Sequence, residues 1–285
     1  MVNKNLRVSI VIPVYNEAAH LPACLDAIAR QSVQPYEVIV VDNNSCDDTA
    51  AIACLYPFVR LLTEKRQGVV YARDRGFDAV RGDIIGRIDA DTIIADDWVA
   101  VLRQIFADGT TDAVTGSAHY YDMALSSIVD QTDMAIRRYY RRCLGKAVVL
   151  QGANMALRRS TWRHIRKDVC RTAGVHEDFD ISIHASQSGY RVTFDETLVA
   201  SLSFRSVEAA PADYLEYNLI SPRTYRAHGL KRHVYMYPIV ALAVVGYLPI
   251  RLLRRGYDAH TERFSLVRML SVPAQARVNP GTFVD

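Results

Sequence analysis

Two aspartates separated by one residue end an apolar stretch of the chain. Asp89 and Asp91 follow the run I-I-G-R-I at 84–88, so both carboxylates are expected where a strand ends. Carboxylates at this spacing can bind one hard cation, and Mg²⁺ or Mn²⁺ keeps coordination positions for a diphosphate when few protein oxygens hold it. The pair taken alone favours a solvated turn, so its surroundings must decide between the two interpretations.

Two further acidic sites could take part in chemistry. The segment H-E-D at 176–178 offers a carboxylate that could remove a proton from an attacking hydroxyl, which is worth roughly 10²–10⁴ in rate. One of these acids could instead cap a helix beginning at Phe179. Asp42, after another apolar run, could accept a hydrogen bond from uracil or guanine, or serve in the polar turn that follows it.

An alternation of strands and helices must position these residues. β-branched runs at 7–14, 37–41, 59–62 and 84–88 are typical of strands buried on both faces. Helical spacing between them predicts an α/β protein with a mostly parallel sheet covered by helices. The carboxyl ends of such strands share one edge of the sheet, where ligands bind. The polar residues expected at that edge are Tyr15, Glu17, Asp42, Asp89 and Asp91. Its four carboxylates would repel one another without a cation or hydrogen-bond donors between them.

The pattern beyond residue 116 is less regular. We expect helices at 125–144, 179–187 and 214–228. Short strands are predicted at 113–115 and 191–194, with a strand–loop–strand at 148–157.

The C-terminal part differs in charge and hydropathy from the rest. Residues 221–285 contain ten Lys and Arg but three Asp and Glu, and Val234–Ile250 is a stretch of 17 residues without a charge. That length is short for a membrane span, and Pro238 and Pro249 interrupt it. A core helix, a re-entrant hairpin and an interfacial helix held by Arg251, Arg254 and Arg255 are the three interpretations. We favour peripheral membrane contact through residues 234–255.

Composition and missing motifs exclude several classes of protein. The chain has 285 residues, half of them hydrophobic, and a net charge of +3, which is an ordinary globular balance. Five cysteines without a C-x-x-C favour a reducing compartment and argue against a disulfide framework or a zinc site. The polar segment Met1–Arg7 is not typical of a signal peptide. Dinucleotide, P-loop and nucleophile-elbow signatures are absent, and no nucleic-acid partner is expected.

Six segments in order resemble glycosyltransferase family 2, whose members have the nucleotide-sugar-binding GT-A fold. They are V-S-I-V-I-P-V-Y-N-E at 8–17, E-V-I-V-V-D-N-N-S-C-D-D-T at 37–49, G-V-V-Y-A-R-D-R-G at 68–76, G-D-I-I-G-R-I-D-A-D at 82–91, Q-G-A-N-M-A-L-R-R at 151–159 and H-E-D-F-D at 176–180. The resemblance covers about the first 200 residues. Asp74 stands where the family often has Asn, and Arg87 interrupts a strand that is usually apolar.

The resemblance implies a role for each matching residue. Pro13, Tyr15 and Glu17 would line the nucleotide pocket, Asp42 would contact the base, and Arg73 would lie near the donor phosphates. Asp89 would touch the ribose or sugar and, with Asp91, hold Mg²⁺ or Mn²⁺. Gly152 and Asn154 would shape the acceptor side. Asp178 would be the catalytic base, with Glu177 orienting a substrate hydroxyl.

The family also implies a reaction and a place in the cell. We expect an inverting, metal-assisted transfer from a UDP-sugar, in preference to a GDP-sugar, to a hydroxyl of a saccharide or glycolipid, such as a bacterial surface polysaccharide. A polyprenyl-phosphate acceptor and a nucleotide-sugar-binding protein without turnover are the alternatives. The expected organisation is a catalytic domain at 1–205, with donor and acceptor halves meeting near 115, and a helical extension at 206–285. The protein would work in the cytoplasm, at the inner face of the cytoplasmic membrane.

Overall fold

The first half of the sheet consists of four parallel strands. The computed structural model describes residues 5–144, 148–172, 174–259, 261 and 263–271. The strands are β1 (Val8–Val14), β2 (Glu37–Asp42), β3 (Val59–Thr63) and β4 (Ile84–Arg87), paired in parallel with β1 between β2 and β4. β1 and β4 are almost wholly buried because helices cover both faces of the sheet.

Helices connect these strands and pack on them. α1 (Leu21–Ala29), α2 (Thr49–Cys54) and α3 (Val69–Ala79) are the crossovers, and α4 (Trp98–Phe106) follows β4 and the two-residue β5 (Ile93–Ile94). Alternate residues of β1 face opposite cores, since Ile10 and Ile12 belong to one apolar cluster and Val11 to the other. In α3, a Cβ on Gly76 would lie 2.3 Å from Val11 Cγ1, so this helix packs directly on the strand.

The second half of the sheet has mixed strand directions. β6 (Ala113–Tyr120), β7 (Met155–Arg158) and β8 (Val192–Leu202) join β5 to give the order β3-β2-β1-β4-β7-β6-β8-β5. β7 runs antiparallel to β4 and β6, β8 is parallel to β6, and β5 is antiparallel to β8. The α/β class with a mostly parallel sheet is confirmed.

Three predicted elements in this half have different bounds. β6 and β8 are much longer than the short strands expected at 113–115 and 191–194. β8 is only half-buried and carries D-E-T in its centre, so its apolar pattern is weak. α7 (Glu177–Gln187) begins at Glu177 rather than at Phe179, which places both candidate acids in its first turn.

The remaining helices lie around the sheet and at the C-terminus. α5 (Ser126–Cys143) and α6 (Arg159–Ile165) precede α7, and α8 (Pro211–Ala227), α9 (Tyr237–Gly256) and α10 (Leu266–Ser271) follow β8. β9 (Tyr257–Asp258) and β10 (Arg263–Phe264) form a small hairpin before α10. The predicted N-terminal segment before residue 5 and the end of the extension after residue 271 lie outside the described residues.

Candidate active site

A cavity of about 850 Å³ opens at the carboxyl ends of β1 and β4 and continues to the first turn of α7. It brings together eight of the eleven residues singled out from the sequence. These are Pro13, Tyr15, Glu17, Asp89, Asp91, Gly152, Glu177 and Asp178. The volume is within the range of small-molecule sites.

Hydrogen bonds between two loops position the residues that follow β1. Asn16 has a left-handed backbone, with φ of 53°, and its side-chain oxygen accepts the Cys46 amide at 2.8 Å. The Glu17 amide donates to Thr49 Oγ1 at 2.8 Å. These contacts hold Tyr15 and Glu17 at the cavity by fixing the β1 loop to the β2 loop.

Three predicted site residues do not line the cavity. Arg73 is fully buried and donates to the Asp74 carboxylate and, at 2.8 Å, to the Glu177 carbonyl oxygen, so it braces α7 instead of facing the donor phosphates. Asn154 is also fully buried, where it accepts from Trp98 Nε1 and donates to the Leu198 carbonyl, so it links α4 to β8. Asp42 accepts a hydrogen bond from the Ser45 amide at 3.2 Å, which is the role in the polar turn that was the alternative to base recognition. Its neighbour Asn43 lines the cavity instead.

Two arginines neutralise the acidic rim. Arg205 pairs with Glu17 and, through Nε, with Asp91 Oδ2 at 2.6 Å. Arg87 pairs with Asp89 at 3.0 Å and with Glu177 at 2.9 Å. Burial raises the pKa of Glu17, but hydrogen bonds with His20 and Arg205 outweigh it and leave that pKa below its usual range. Arg205 and Arg87 supply positive charge beside three of the four carboxylates of this edge, Glu17, Asp91 and Asp89, and neither arginine was expected in this role.

Arg87 also explains the glycine opposite it. The Arg87 side chain is only 4% exposed, and a Cβ on Gly152 would lie 1.2 Å from its Nη1. A side chain at position 152 is therefore incompatible with this arginine rotamer. The Gly152 amide donates to Asp178 Oδ2 at 2.9 Å, which connects the Q-G-A-N segment to the first turn of α7.

Glu177 and Asp178 are neighbours, but their environments shift their pKa values in opposite directions. Burial opposes ionisation of Glu177, but the guanidinium groups of Arg87 and Arg73 hold its pKa below the usual range. Burial raises the pKa of Asp178, and the charge of Glu177 raises it further. Glu177 is therefore the fixed anion of the pair, and Asp178 is the carboxylate suited to exchange a proton.

Asp89 and Asp91 offer the donor atoms that a hard divalent cation prefers. Both line the cavity, with side chains 40% and 10% exposed, and both present carboxylate oxygens. The oxygens fit Mg²⁺ or Mn²⁺ shared with a diphosphate. Because Arg205 is paired with Asp91 Oδ2, a metal ion at this place would either share the Asp91 carboxylate with Arg205 or displace the guanidinium group from it.

Comparison with known sequences decides the family. The sequence profile described as Glycosyl transferase family 2 matches residues 9–166. The chain belongs to glycosyltransferase family 2. The match contains Asp89, Asp91 and Gly152 but ends before Glu177 and Asp178, so the assignment of these two acids depends on geometry. Turnover is expected of a glycosyltransferase, and the alternative of a binding protein without activity is set aside.

Curated relatives carry related names. Glycosyltransferase AglE of Haloferax volcanii is 28% identical over 206 residues, covering 67% of this chain and 65% of the relative. The undecaprenyl-phosphate 4-deoxy-4-formamido-L-arabinose transferase of Serratia proteamaculans is 40% identical over 94 residues, covering 30% of this chain and 29% of the relative. The chain thus matches less than two thirds of the length of either glycosyltransferase.

Solved structures confirm the GT-A fold. The mannosyltransferase PcManGT from Pyrobaculum calidifontis, in complex with GDP-Man and Mn²⁺, superposes with a TM-score of 0.56 at 19% identity, covering 94% of this chain and 86% of the other. S. aureus TarS 1-349, in complex with UDP, has a TM-score of 0.51 at 14% identity, covering 76% and 64%. At these identities the likeness concerns the glycosyltransferase fold alone.

Proposed function

We propose that this family 2 enzyme transfers a sugar from a nucleoside diphosphate, with UDP preferred over GDP, to a hydroxyl acceptor with inversion. The observation that carries the proposal is the position of Asp178, which lies beside Gly152 with its side chain 13% exposed, in the same cavity as Asp89 and Asp91. A solved GT-A neighbour holds GDP-Man with Mn²⁺ and another holds UDP, which supports a nucleotide donor in this cavity. The donor half would be residues 1–115 and the acceptor half 116–205.

The residues that bind the donor and those that activate the acceptor would lie at opposite ends of the cavity. Asp91 and Asp89 would hold Mg²⁺ or Mn²⁺, which when bound supplies positive charge against the leaving diphosphate. Pro13, Tyr15 and Glu17 would line the nucleotide side. Asp178 would accept the proton of the attacking hydroxyl, while Glu177, fixed by Arg87, would orient that hydroxyl.

A donor panel with a base variant tests the proposal. Wild type with Mn²⁺ should release nucleoside diphosphate from a UDP-sugar faster than from a GDP-sugar. Asp178→Asn should lower kcat by about 10²–10⁴ because proton transfer is lost, while nucleotide affinity is retained. Asp195→Asn, at a half-buried acid in β8 that does not line the cavity, is the control and should leave kcat unchanged. Full turnover by Asp178→Asn would refute the base, and equal inertness towards every donor would refute the proposal.

A polyprenyl-phosphate acceptor is the second candidate. It is supported by the name of the Serratia relative and by an exposed apolar helix at the C-terminus. A phosphate nucleophile is already ionised and requires no base. If this acceptor is used, Asp178→Asn should keep most of its rate with a polyprenyl phosphate while losing its rate with a saccharide.

We also propose that α9 makes peripheral contact with the inner face of the cytoplasmic membrane. α9 and the 3₁₀ turn before it form a continuous helical stretch, Lys231–Gly256, which is long and apolar enough to span a bilayer, and much of its apolar surface is exposed. Val245 is 77% and Leu248 is 60% exposed. The exposed apolar residues of α10, Leu266, Val267 and Leu270, would add to this surface.

The three arginines at the end of α9 have a different role from the lipid contact expected of them. Arg255 and Arg254 pair with Glu208 at 3.0 and 3.2 Å, and Arg254 also pairs with Asp122 at 3.0 Å. Arg251 Nε lies 3.7 Å from Glu208. Because Glu208 is buried, these cations attach the helix to the protein, and the apolar face would carry the membrane contact.

Vesicle sedimentation tests the membrane proposal. Wild type should pellet with phosphatidylglycerol vesicles, and Val245→Glu with Leu248→Glu should stay in the supernatant because two charges enter the contact face. Leu55→Glu, at a residue 76% exposed after α2, is the matched control and should pellet as wild type does. Equal sedimentation of all three proteins would contradict the contact.

A further inference from the structure

Four side chains that are typical zinc ligands meet beside the first turns of α7. Asp180 and His184 are one helical turn apart on α7, Cys170 precedes the helix, and His228 follows the end of α8. Their ligand atoms all lie within 4.8 Å of one another. The four residues come from three separate segments, so the fold, rather than a local motif, assembles the cluster.

The distances converge on the Asp180 carboxylate. Asp180 Oδ1 lies 2.8 Å from His228 Nε2 and 3.4 Å from His184 Nε2. Cys170 Sγ lies 4.0 Å from His228 Nε2. Tetrahedral zinc with bonds of about 2.0–2.3 Å holds its ligand atoms roughly 3.3–3.8 Å apart. Small side-chain movements would therefore bring these atoms to zinc-binding positions.

One feature of the cluster is unexplained by hydrogen bonding. His184 Nε2 is buried and completes no hydrogen bond with the described residues, although it points at the same place as the other three atoms. Asp180 is fully buried, and its Oδ1 is in hydrogen-bond contact with His228 Nε2 at 2.8 Å. Asp180 Oδ2 already accepts the Cys170 amide at 2.8 Å, which fixes the orientation of the carboxylate.

We propose that Cys170, Asp180, His184 and His228 bind a structural Zn²⁺. One thiolate, two imidazoles and one carboxylate form a set that suits zinc and is too soft for Mg²⁺. The cysteine thiolate and the aspartate together balance the charge of the ion. Four protein ligands would leave no open position for a substrate, which is typical of a structural site. The site is separate from the Asp89 and Asp91 pair and does not depend on the proposed donor.

Bound zinc would restrict the movement of the proposed catalytic base. It would connect α7 to the segment before it and to the end of α8, so the first turn of α7, which carries Glu177 and Asp178, would be held in position. The absence of a C-x-x-C among the five cysteines argued against a zinc site. Spacing rules detect sites built within one segment, whereas this cluster combines ligands that are up to 58 residues apart.

Metal analysis and cobalt substitution test the proposal on the full chain. Protein purified without chelator and dialysed against Zn²⁺ should retain one zinc per chain. Cobalt-loaded wild type should show a thiolate-to-cobalt charge-transfer band, which Cys170→Ser should lose. His184→Ala and His228→Ala should weaken zinc affinity at least tenfold and lower the Tm in zinc-containing buffer. Cys54→Ala, an exposed cysteine outside the cluster, should keep the band and the zinc content.

The outcomes separate this site from the catalytic metal. Wild type that retains no zinc and shows no cobalt band would overturn the proposal, as would a band that persists in Cys170→Ser. The spectroscopic test uses folded wild type, so it remains decisive if a variant fails to fold. Asp91→Ala should keep its zinc, and its loss of Mn²⁺-dependent nucleotide binding would be a separate result.

Discussion

Replacing Arg87 by methionine should reveal how strongly one buried cation supports the proposed active site. Arg87 is 3% exposed, and its Nη2 lies 2.9 Å from Glu177 Oε1. At an effective dielectric of about 20, opposite charges about 4 Å apart attract by about 4 kcal/mol. The second pair, with the 40% exposed Asp89, adds about 0–1 kcal/mol because water screens it. Leaving Glu177 buried without this partner should cost about 3–5 kcal/mol.

The loss should depend on pH in a defined direction. The pKa of Glu177 is lowered in the folded protein, so its ion pair stabilises the fold above the ordinary value of 4.5 and ceases to do so as the pH falls through the lowered pKa. Without Arg87, burial dominates, and the folded state becomes less stable as rising pH ionises Glu177. The difference between wild type and Arg87→Met should therefore be large at pH 8 and smaller at pH 5.

Urea denaturation at the two pH values measures this effect. The double variant Arg87→Met with Glu177→Gln should recover part of the stability, because it removes both charges. Arg166→Met breaks an ion pair of 3.0 Å between residues more than 40% exposed and should cost less than about 1 kcal/mol. A loss below 1 kcal/mol for Arg87→Met, or an equal loss at pH 5 and pH 8, would refute the reasoning.

Two further predictions concern the same cavity. Gly152→Ala should displace Arg87 and lower kcat by at least tenfold, with the fold retained. Gly109→Ala is the control: a Cβ there meets nothing within 4 Å, so the variant should affect stability through its positive φ and leave kcat unchanged. Equal activity of Gly152→Ala and wild type would contradict the steric conflict. kcat/KM should increase with pH as Asp178 loses its proton. Because the pKa of Asp178 is raised, the loss of activity on acidification should begin at a higher pH than it would with an ordinary aspartate. A value of kcat/KM that stays constant down to pH 4 would contradict this.

The first half of the sheet could be predicted from the sequence because its physical signals are local. Strands buried on both faces must be continuous apolar runs, and β1, β2 and β4 have this composition. Since parallel strands end on one edge, the placement of Tyr15, Glu17, Asp89 and Asp91 around one cavity follows from strand order alone.

The interactions that complete the site could not be predicted because their partners are distant in the chain. Arg205 lies 188 residues from Glu17, and nothing in the sequence around it indicates that ion pair. Arg87 did carry a usable signal, since an arginine inside a buried strand must be paired. Arg73 shows the opposite error: its place in a familiar motif suggested phosphate binding, but the structure uses it inside the protein to support Glu177.

A crystal structure with MnCl₂ and UDP would show whether the acids at the strand ends hold a nucleoside diphosphate through a divalent cation. We expect an anomalous manganese peak in contact with the Asp91 carboxylate and with diphosphate oxygens, with the nucleotide beside Tyr15. Manganese and diphosphate bound away from Asp91, or a cavity left empty at saturating nucleotide, would contradict it.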